Sequence, residues 1–333
     1  MILIRVDANE QIGTGHVMRC LTVADEFVYR GERVIFVSAD HSVDILIKPR
    51  GFDSICLNSD YSNMEEEDVD RIIRDYNPRL MLIDSYYVTN DYLLNLSKAV
   101  RIVYFDDFNS SCWNVDYLIN YNVYADKLDY SRYVGVDTKL LLNPQYAPLR
   151  KEFRNCRKHS IREVSDVLVS AGGSDPQCVT EKIMSGICSQ RSNIKFHFVV
   201  GALNKRLSPI MNMADKIENV VLHVNEKHMS DLMDKCDIAI SASGTTLYEL
   251  CATGIPTITY TLADNQLVAA EQFSEQGIML CAGDCRGNGD FIGRVGKCLD
   301  KLVNDIDLRK DFSTKMQLLV DGKGAERIVE ALL

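Results

Sequence analysis

The segment IGTGHVMRC, residues 12–20, sets a histidine beside two glycines where a predicted strand gives way to a predicted helix. Gly13 and Gly15 let the backbone turn tightly and approach a ligand, and the free N–H groups of a helix start suit an anion. His16, in the first helical turn, is a candidate proton acceptor. The positive end of the helix dipole disfavours an imidazolium there, which helps keep a neutral ring at neutral pH. A helix cap or a surface histidine fits the same position. Met18 occupies the third glycine position of a dinucleotide fingerprint, so the lone Gly-x-Gly is thin support for NAD.

Two further strand-to-helix turns carry small polar residues. In SAGGSDPQ, residues 170–177, Gly172 and Gly173 free the backbone, and Ser174 or Asp175 can cap the helix that follows. The segment lacks the Gly-Lys-Ser/Thr ending of a P-loop, which argues against ATP hydrolysis. In SASGTTLYEL, residues 241–250, Ser243, Gly244 and Thr245 form a helix start suited to phosphate. Glu249 there reaches toward ribose hydroxyls or lies on a solvated helix face. LADNQ, residues 262–266, adds Asn265 and Gln266 after another strand, as ligand groups or as a helix cap. Asp106 with Asp107, after a strand, fits a metal or acid–base pair, and Asp84 with Tyr86 ends the strand before; each fits loop capping equally. The six histidines show no HxH, HExxH or cysteine-linked metal spacing, so a bound structural zinc is not expected.

The elements that must position these residues are short, continuously apolar runs alternating with helical periodicity, the pattern of parallel α/β layers. Strands are predicted at 2–6, 33–38, 54–57, 80–84, 101–105 and 116–119, and again at 166–171, 195–200, 220–224, 237–241 and 256–260. Val17, Cys20, Leu21, Ala24, Phe27 and Val28 predict a one-sided helix ending near Gly31. Residues 143–160, with Pro144, Pro148 and the charged run KEFRNCRKHS, read as a solvated linker between domains 1–150 and 151–333. The last helix is expected to be able to pack back on the first domain. Two such domains facing each other bring their strand C-terminal ends to a central cleft, where open α/β sheets bind ligands.

With 37 basic and 47 acidic residues the net charge is -10, which argues against a broad nucleic-acid footprint. No apolar run approaches the roughly 20 residues of a membrane span. Arg5 and Asp7 interrupt the N-terminus too early for a signal-peptide core. The cysteines are scattered and odd in number, as expected of reduced thiols in a cytoplasmic protein.

Taken together, RVDANEQIGTGHVMRCLTVA (5–24), LIDSYYV (82–88), YFDDF (104–108), LLNPQYAPLRKEF (141–153), SAGGSDPQ, SASGTTLYEL, LADNQ and DGKGAERIVEAL (321–332) give the chain a family likeness. It resembles the UDP-sugar hydrolases of pseudaminic acid biosynthesis, which act on UDP-2,4-diacetamido-2,4,6-trideoxy-β-L-altropyranose. One departure is Asn143 before Pro144, where similar proteins often have glycine.

The resemblance implies an α/β chain of GT-B architecture, two Rossmann-like parallel-sheet domains with the nucleotide held mainly by the C-terminal one. The architecture is shared with the lipid II-forming N-acetylglucosaminyltransferase. It implies that water attacks the anomeric carbon with inversion and releases UDP, without metal or redox cofactor. It further implies that His16 activates or positions the water, beside Gly15, Tyr86 and Asn265. Gly172, Gly173, Ser174, Ser243, Gly244 and Thr245 surround the diphosphate, Glu249 binds the ribose and Gln266 lies near the sugar or diphosphate. Asp7 and Arg19 belong to the same signature without an assigned role. Three rivals stand beside this expectation: a glycosyltransferase of the same fold serving surface or spore-coat polysaccharide, an NAD oxidoreductase using Asp40, and a non-catalytic nucleotide-sugar sensor.

Overall fold

The computed structural model describes residues 1–7, 15–60, 66–156, 159–201, 204–287 and 289–333. Gly13, and the basic pair Arg157-Lys158 of the expected linker, lie outside the described residues. The chain divides into two compact units, 1–149 with 323–333, and 150–322.

The first unit holds a seven-stranded sheet of β1 (Ile2–Val6), β2 (Val34–Ser38), β3 (Asp53–Cys56), β4 (Leu80–Asp84), β5 (Arg101–Phe105), β6 (Tyr117–Asn120) and β7 (Lys139–Leu142), in the order β3-β2-β1-β4-β5-β6-β7. All its pairings are parallel. The second unit holds β8 (Asp166–Ser170), β9 (Lys195–Val200), β10 (Val220–Val224), β11 (Ile238–Ala242), β12 (Thr257–Thr261) and β13 (Leu280–Asp284), in the order β10-β9-β8-β11-β12-β13, again parallel. In each sheet the strand order reverses at one point, β1/β4 in the first and β8/β11 in the second. Ligands of open α/β sheets bind outside the strand ends at such a reversal.

Burial explains the continuous apolar runs. The central strands β1, β2, β4, β11 and β12 are buried along their whole length, because helices cover both faces of a parallel sheet. Helix Gly15–Tyr29 buries Val17, Cys20, Leu21, Ala24 and Phe27 as its spacing predicts, whereas Val28 is 50% exposed and falls outside the stripe. Two strands are missing from the sequence prediction, and both are edge strands. β7 is short and half-buried, and β13 carries Gly283 at φ +80° with a register shift against β12. Neither has the continuous apolar signature of the inner strands.

The expected solvated linker is corrected. Pro144, Leu149 and Phe153 are buried, and Arg150 is ion-paired, so this segment packs rather than spans. The return crossing is also tight. A Cβ on Gly322 would collide with the Phe153 carbonyl oxygen, and one on Gly324 with the Ala147 carbonyl oxygen. Helix Gly324–Leu332 then packs on helix Gly15–Tyr29 within the first unit.

Asn143 takes φ +79° and ψ 163°, a backbone region that glycine alone occupies without strain. Asn143→Gly is expected to stabilise the protein by about 1 kcal/mol, the relieved strain exceeding the added chain entropy of glycine. A lower urea midpoint for the variant would contradict this.

Candidate active site

The helix after β1 and the end of β4 meet at the reversal of the first sheet, where Val6 lies in register with Asp84. Here His16 Nδ1 sits 2.6 Å from Asp84 Oδ1. The two atoms face each other without a well-aligned hydrogen bond. The imidazole is thus next to a carboxylate as well as a helix terminus. His16 is 7% exposed, less open than its position in sequence suggests.

Arg19, one helical turn further on, grips the same carboxylate with both edges of its fork. Nε donates to Asp84 Oδ2 and Nη2 to Oδ1, each at 2.6 Å. Its far side donates to Asp107, Nη1 to Oδ1 at 3.0 Å and Nη2 to Oδ2 at 3.1 Å. The guanidinium stacks over Phe105 and Tyr121, with centroid distances of 4.7 and 5.5 Å. Asp107 also accepts from Tyr86 Oη at 3.1 Å and Asn122 Nδ2 at 2.9 Å. Tyr86, 39% exposed, returns to the histidine through its ring, which meets the imidazole edge-on at 4.6 Å. Phe108 lies 5.3 Å beyond it.

The charges of this group are strongly coupled. Burial alone would raise the Asp84 carboxyl, but Arg19 and then His16 outweigh it and hold Asp84 well below the usual carboxylate range. Asp107 is lowered against burial in the same way by Arg19. Burial and the Asp107 charge push the Tyr86 phenol up, so it stays a donor. Asp106 points elsewhere: it accepts from Trp113 Nε1 at 2.8 Å and from the N–H groups of Phe108 and Asn109, a loop-capping role. Asp7 accepts from Arg5 at 2.5 Å and from Ala39 N–H at 2.8 Å, bracing the end of β1 against β2.

In the second unit the turns after β8 and β11 stand at the sheet reversal. Gly172 takes φ +77°, and open space lies where a Cβ would point. Asp175, not Ser174, caps helix Val179–Gly186, accepting from Val179 N–H at 2.8 Å and Thr180 N–H at 2.9 Å. Gly173 backs directly onto Gly201, where no side chain would fit. Gly244 likewise has open space at its Cβ position, and exposed Thr245 precedes helix Thr246–Thr253. Ser243 turns inward: its hydroxyl contacts Thr259 Oγ1 at 2.6 Å and donates to the Tyr260 carbonyl at 2.8 Å. The sequence offers that hydroxyl to a diphosphate, and here it fastens the turn to β12.

Glu249, in the first turn of that helix, accepts from Arg150 Nη2 at 3.0 Å and Nε at 3.3 Å. Burial raises its carboxyl, with Arg150 pulling the other way. Gln266 bends back to accept from Leu262 N–H at 2.9 Å, while Asn265 is exposed. Asp40, the ribose ligand of an NAD reading, caps a short turn through Ser42 N–H at 2.8 Å. Among the described residues there is no cluster of three or more metal-binding side chains, and no helix long and apolar enough to cross a membrane.

Sequence reasoning leaves Arg19 without a role and offers Asp107 with Asp106, and Asp84 with Tyr86, for site chemistry or loop capping without joining either to Arg19. The available signal was the spacing of His16 and Arg19 on one helix face, facing an aspartate at the end of an apolar strand. Arg150 has no such signal.

Curated relatives resemble the chain. The spore coat polysaccharide biosynthesis protein SpsG of Bacillus subtilis is 24% identical over 98% of this chain and 96% of its own length. The UDP-2,4-diacetamido-2,4,6-trideoxy-β-L-altropyranose hydrolase of Campylobacter jejuni is 25% identical over 73% of this chain and 85% of its own length. An uncharacterized protein of Methanocaldococcus jannaschii is 26% identical over 77% of this chain, which spans about half, 54%, of that relative. Among solved structures, MurG of Acinetobacter baumannii aligns at a TM-score of 0.73 and 10% identity over 99% of this chain and 98% of its own. The calicheamicin glycosyltransferase CalG4 aligns at 0.68 and 14% identity over 100% and 98%. The fold is therefore of the GT-B kind, two Rossmann-like parallel-sheet domains. The chain matches no protein-family model.

Proposed function

We propose that this chain hydrolyses UDP-2,4-diacetamido-2,4,6-trideoxy-β-L-altropyranose to UDP and the free sugar, a step of pseudaminic acid biosynthesis in the cytoplasm. The observation that carries the proposal is the His16–Asp84 contact at the reversal of the first sheet. It gains weight from a hydrolase of that name among the curated relatives. Water attacks the anomeric carbon, its proton passes to His16 Nε2, and the bond from that carbon to the diphosphate oxygen breaks. UDP leaves with the bonding pair, and the anomeric configuration inverts. UDP is a competent leaving group once N–H donors meet its charge, so a positioned water and a base suffice.

In this assignment His16, Gly15 and Tyr86 act at the sugar, and Gly172, Gly173, Ser174, Gly244 and Thr245 at the diphosphate, the last two at a helix start. Glu249 serves the ribose, and Asn265 and Gln266 lie toward the sugar or phosphate. Ser243 enters as the residue that shapes the turn. The partners are the UDP-sugar and water, with no nucleic acid, and the free state of all eleven cysteines fits a reducing compartment. A second reading, a GT-B glycosyltransferase of spore-coat or surface polysaccharide synthesis, is favoured by the near full-length likeness to SpsG.

The deciding experiment incubates purified protein with the UDP-diacetamido-trideoxy-altrose and, separately, UDP-N-acetylglucosamine, without acceptor, and follows UDP release. Release from the first alone is expected. UDP binding without release would turn the assignment to the transferase. Because the diphosphate charge is assigned to protein N–H donors, EDTA is expected to leave the rate unchanged. A rate lost on chelation and restored by magnesium would contradict metal independence.

A further inference from the structure

In the turn 106–109 after β5 every side chain is fastened but one. Asp106 Oδ1 accepts from the Phe108 and Asn109 N–H groups, both at 3.0 Å, and its Oδ2 from Trp113 Nε1 at 2.8 Å. Asp107 turns inward and accepts from Arg19. Asn109, at φ +51°, donates through Nδ2 to the Asp129 carbonyl at 2.7 Å. These polar residues are buried, and the apolar one between them, Phe108, is 47% exposed. That inverts the usual distribution, in which phenyl rings are covered and aspartate and asparagine face water. The ring also stands beside the candidate base. Its centroid lies 5.3 Å from that of Tyr86, whose own ring meets His16 at 4.6 Å. Tyr86 and Tyr87, after the neighbouring strand β4, are exposed as well, so aromatic side chains face outward where β4 and β5 end. Open α/β sheets bind ligands at such strand ends, and aromatic faces suit the apolar parts of a ligand.

We infer that Phe108 is a specificity-determining residue: its ring, backed by Tyr86, packs on methyl groups of the sugar and favours a deoxygenated, acetamido-bearing hexose over a hydroxylated one. The proposed substrate is apolar for a sugar, with a methyl at the deoxygenated C6 and another on each acetamido group. Contact takes these methyls and the phenyl face out of water together. A hydroxymethyl group in the same place would lose water and find no hydrogen-bond partner on the ring. Because the turn is already fastened, little freedom is lost when a ligand covers Phe108. The identity of the sugar rests on the hydrolase proposal, whereas the loss of sugar binding on removing the ring does not.

The test measures dissociation constants by calorimetry for the UDP-diacetamido-trideoxy-altrose, UDP-N-acetylglucosamine and UDP. It uses Phe108→Ala and Phe108→Leu in the His16→Ala background, where turnover is slowed, and steady-state kinetics with His16 intact. Phe108→Ala is expected to weaken the diacetamido sugar nucleotide about tenfold and to raise its KM to match, with kcat within about twofold. UDP, which carries no sugar, is expected to bind as before, a readout that damage to the fold would move. UDP-N-acetylglucosamine, with one acetamido methyl and a hydroxyl on C6, is expected to lose less, so the preference between the two sugars narrows. Phe108→Leu, which keeps an apolar surface, is expected to recover most of the affinity. Unchanged binding of the diacetamido sugar nucleotide in Phe108→Ala, or an equal loss for it and for UDP, overturns the inference. The expected binding changes in a protein that releases no UDP would uphold the role of Phe108 and overturn the hydrolase assignment.

Discussion

Replacing His16 with alanine lowers kcat for UDP release by about 10² to 10⁴, the range general-base action usually supplies, and leaves KM within about twofold. The split follows from the division of labour. The imidazole takes a proton only as water bonds to the anomeric carbon, so its loss removes an interaction made in the transition state. The donors assigned to the diphosphate are not altered by the substitution. Steady-state kinetics on both proteins check this. A raised KM with unchanged kcat would make His16 a binding group and leave the base unidentified.

Arg19→Met is expected to destabilise the protein by about 3–5 kcal/mol at neutral pH, because it strands two buried carboxylates that share one cation. Part of that loss is recovered on acidification. In the wild type Asp84 and Asp107 are both lowered, so their contribution is fully present above the ordinary carboxylate value of about 4. It is lost only as pH falls through the lowered values of the folded state. Without the guanidinium, burial governs and the carboxyls rise. The folded variant then takes up protons before the unfolded chain does, and its stability grows as pH falls from neutrality through the raised values. Urea midpoints of both proteins at about pH 7 and pH 5 measure the difference. A gap that stays constant between them would mean that Arg19 acts through its stacking on Phe105 and Tyr121 rather than through charge.

Much of the fold is written locally. β1, β4, β5 and β9 begin and end where their apolar runs do, since an inner parallel strand is apolar on both faces. β7 and β13 escape because an edge strand needs no such run, and β13 is further broken by a left-handed glycine. The Gly-rich turns after β8 and β11 are legible for the same local reason. What joins them to function is not. Arg19 finds Asp84 and Asp107 across separations of 65 and 88 residues, because the strand order sets β4 beside β1 and β5 beside β4. Glu249 meets Arg150 across 99 residues, and the inward turn of Ser243 depends on Thr259 in the neighbouring strand. A spacing rule sees residues on one element. These contacts are made between elements, and only the order of the strands reveals them. The packed crossing at 143–153 teaches the same lesson in reverse: charge density suggested solvent, but Phe153 and Leu149 anchor the segment.

Water attack at the anomeric carbon is the central claim, and the partition of oxygen answers it. The acceptor-free reaction is run in H₂¹⁸O, and the products are separated and weighed by mass spectrometry before the sugar exchanges its anomeric oxygen. The expected result is free sugar and UDP in equal amounts, with the heavy oxygen in the sugar and none in the nucleotide. Label in the nucleotide, which places the attack at phosphorus, or no free sugar at all, would contradict it.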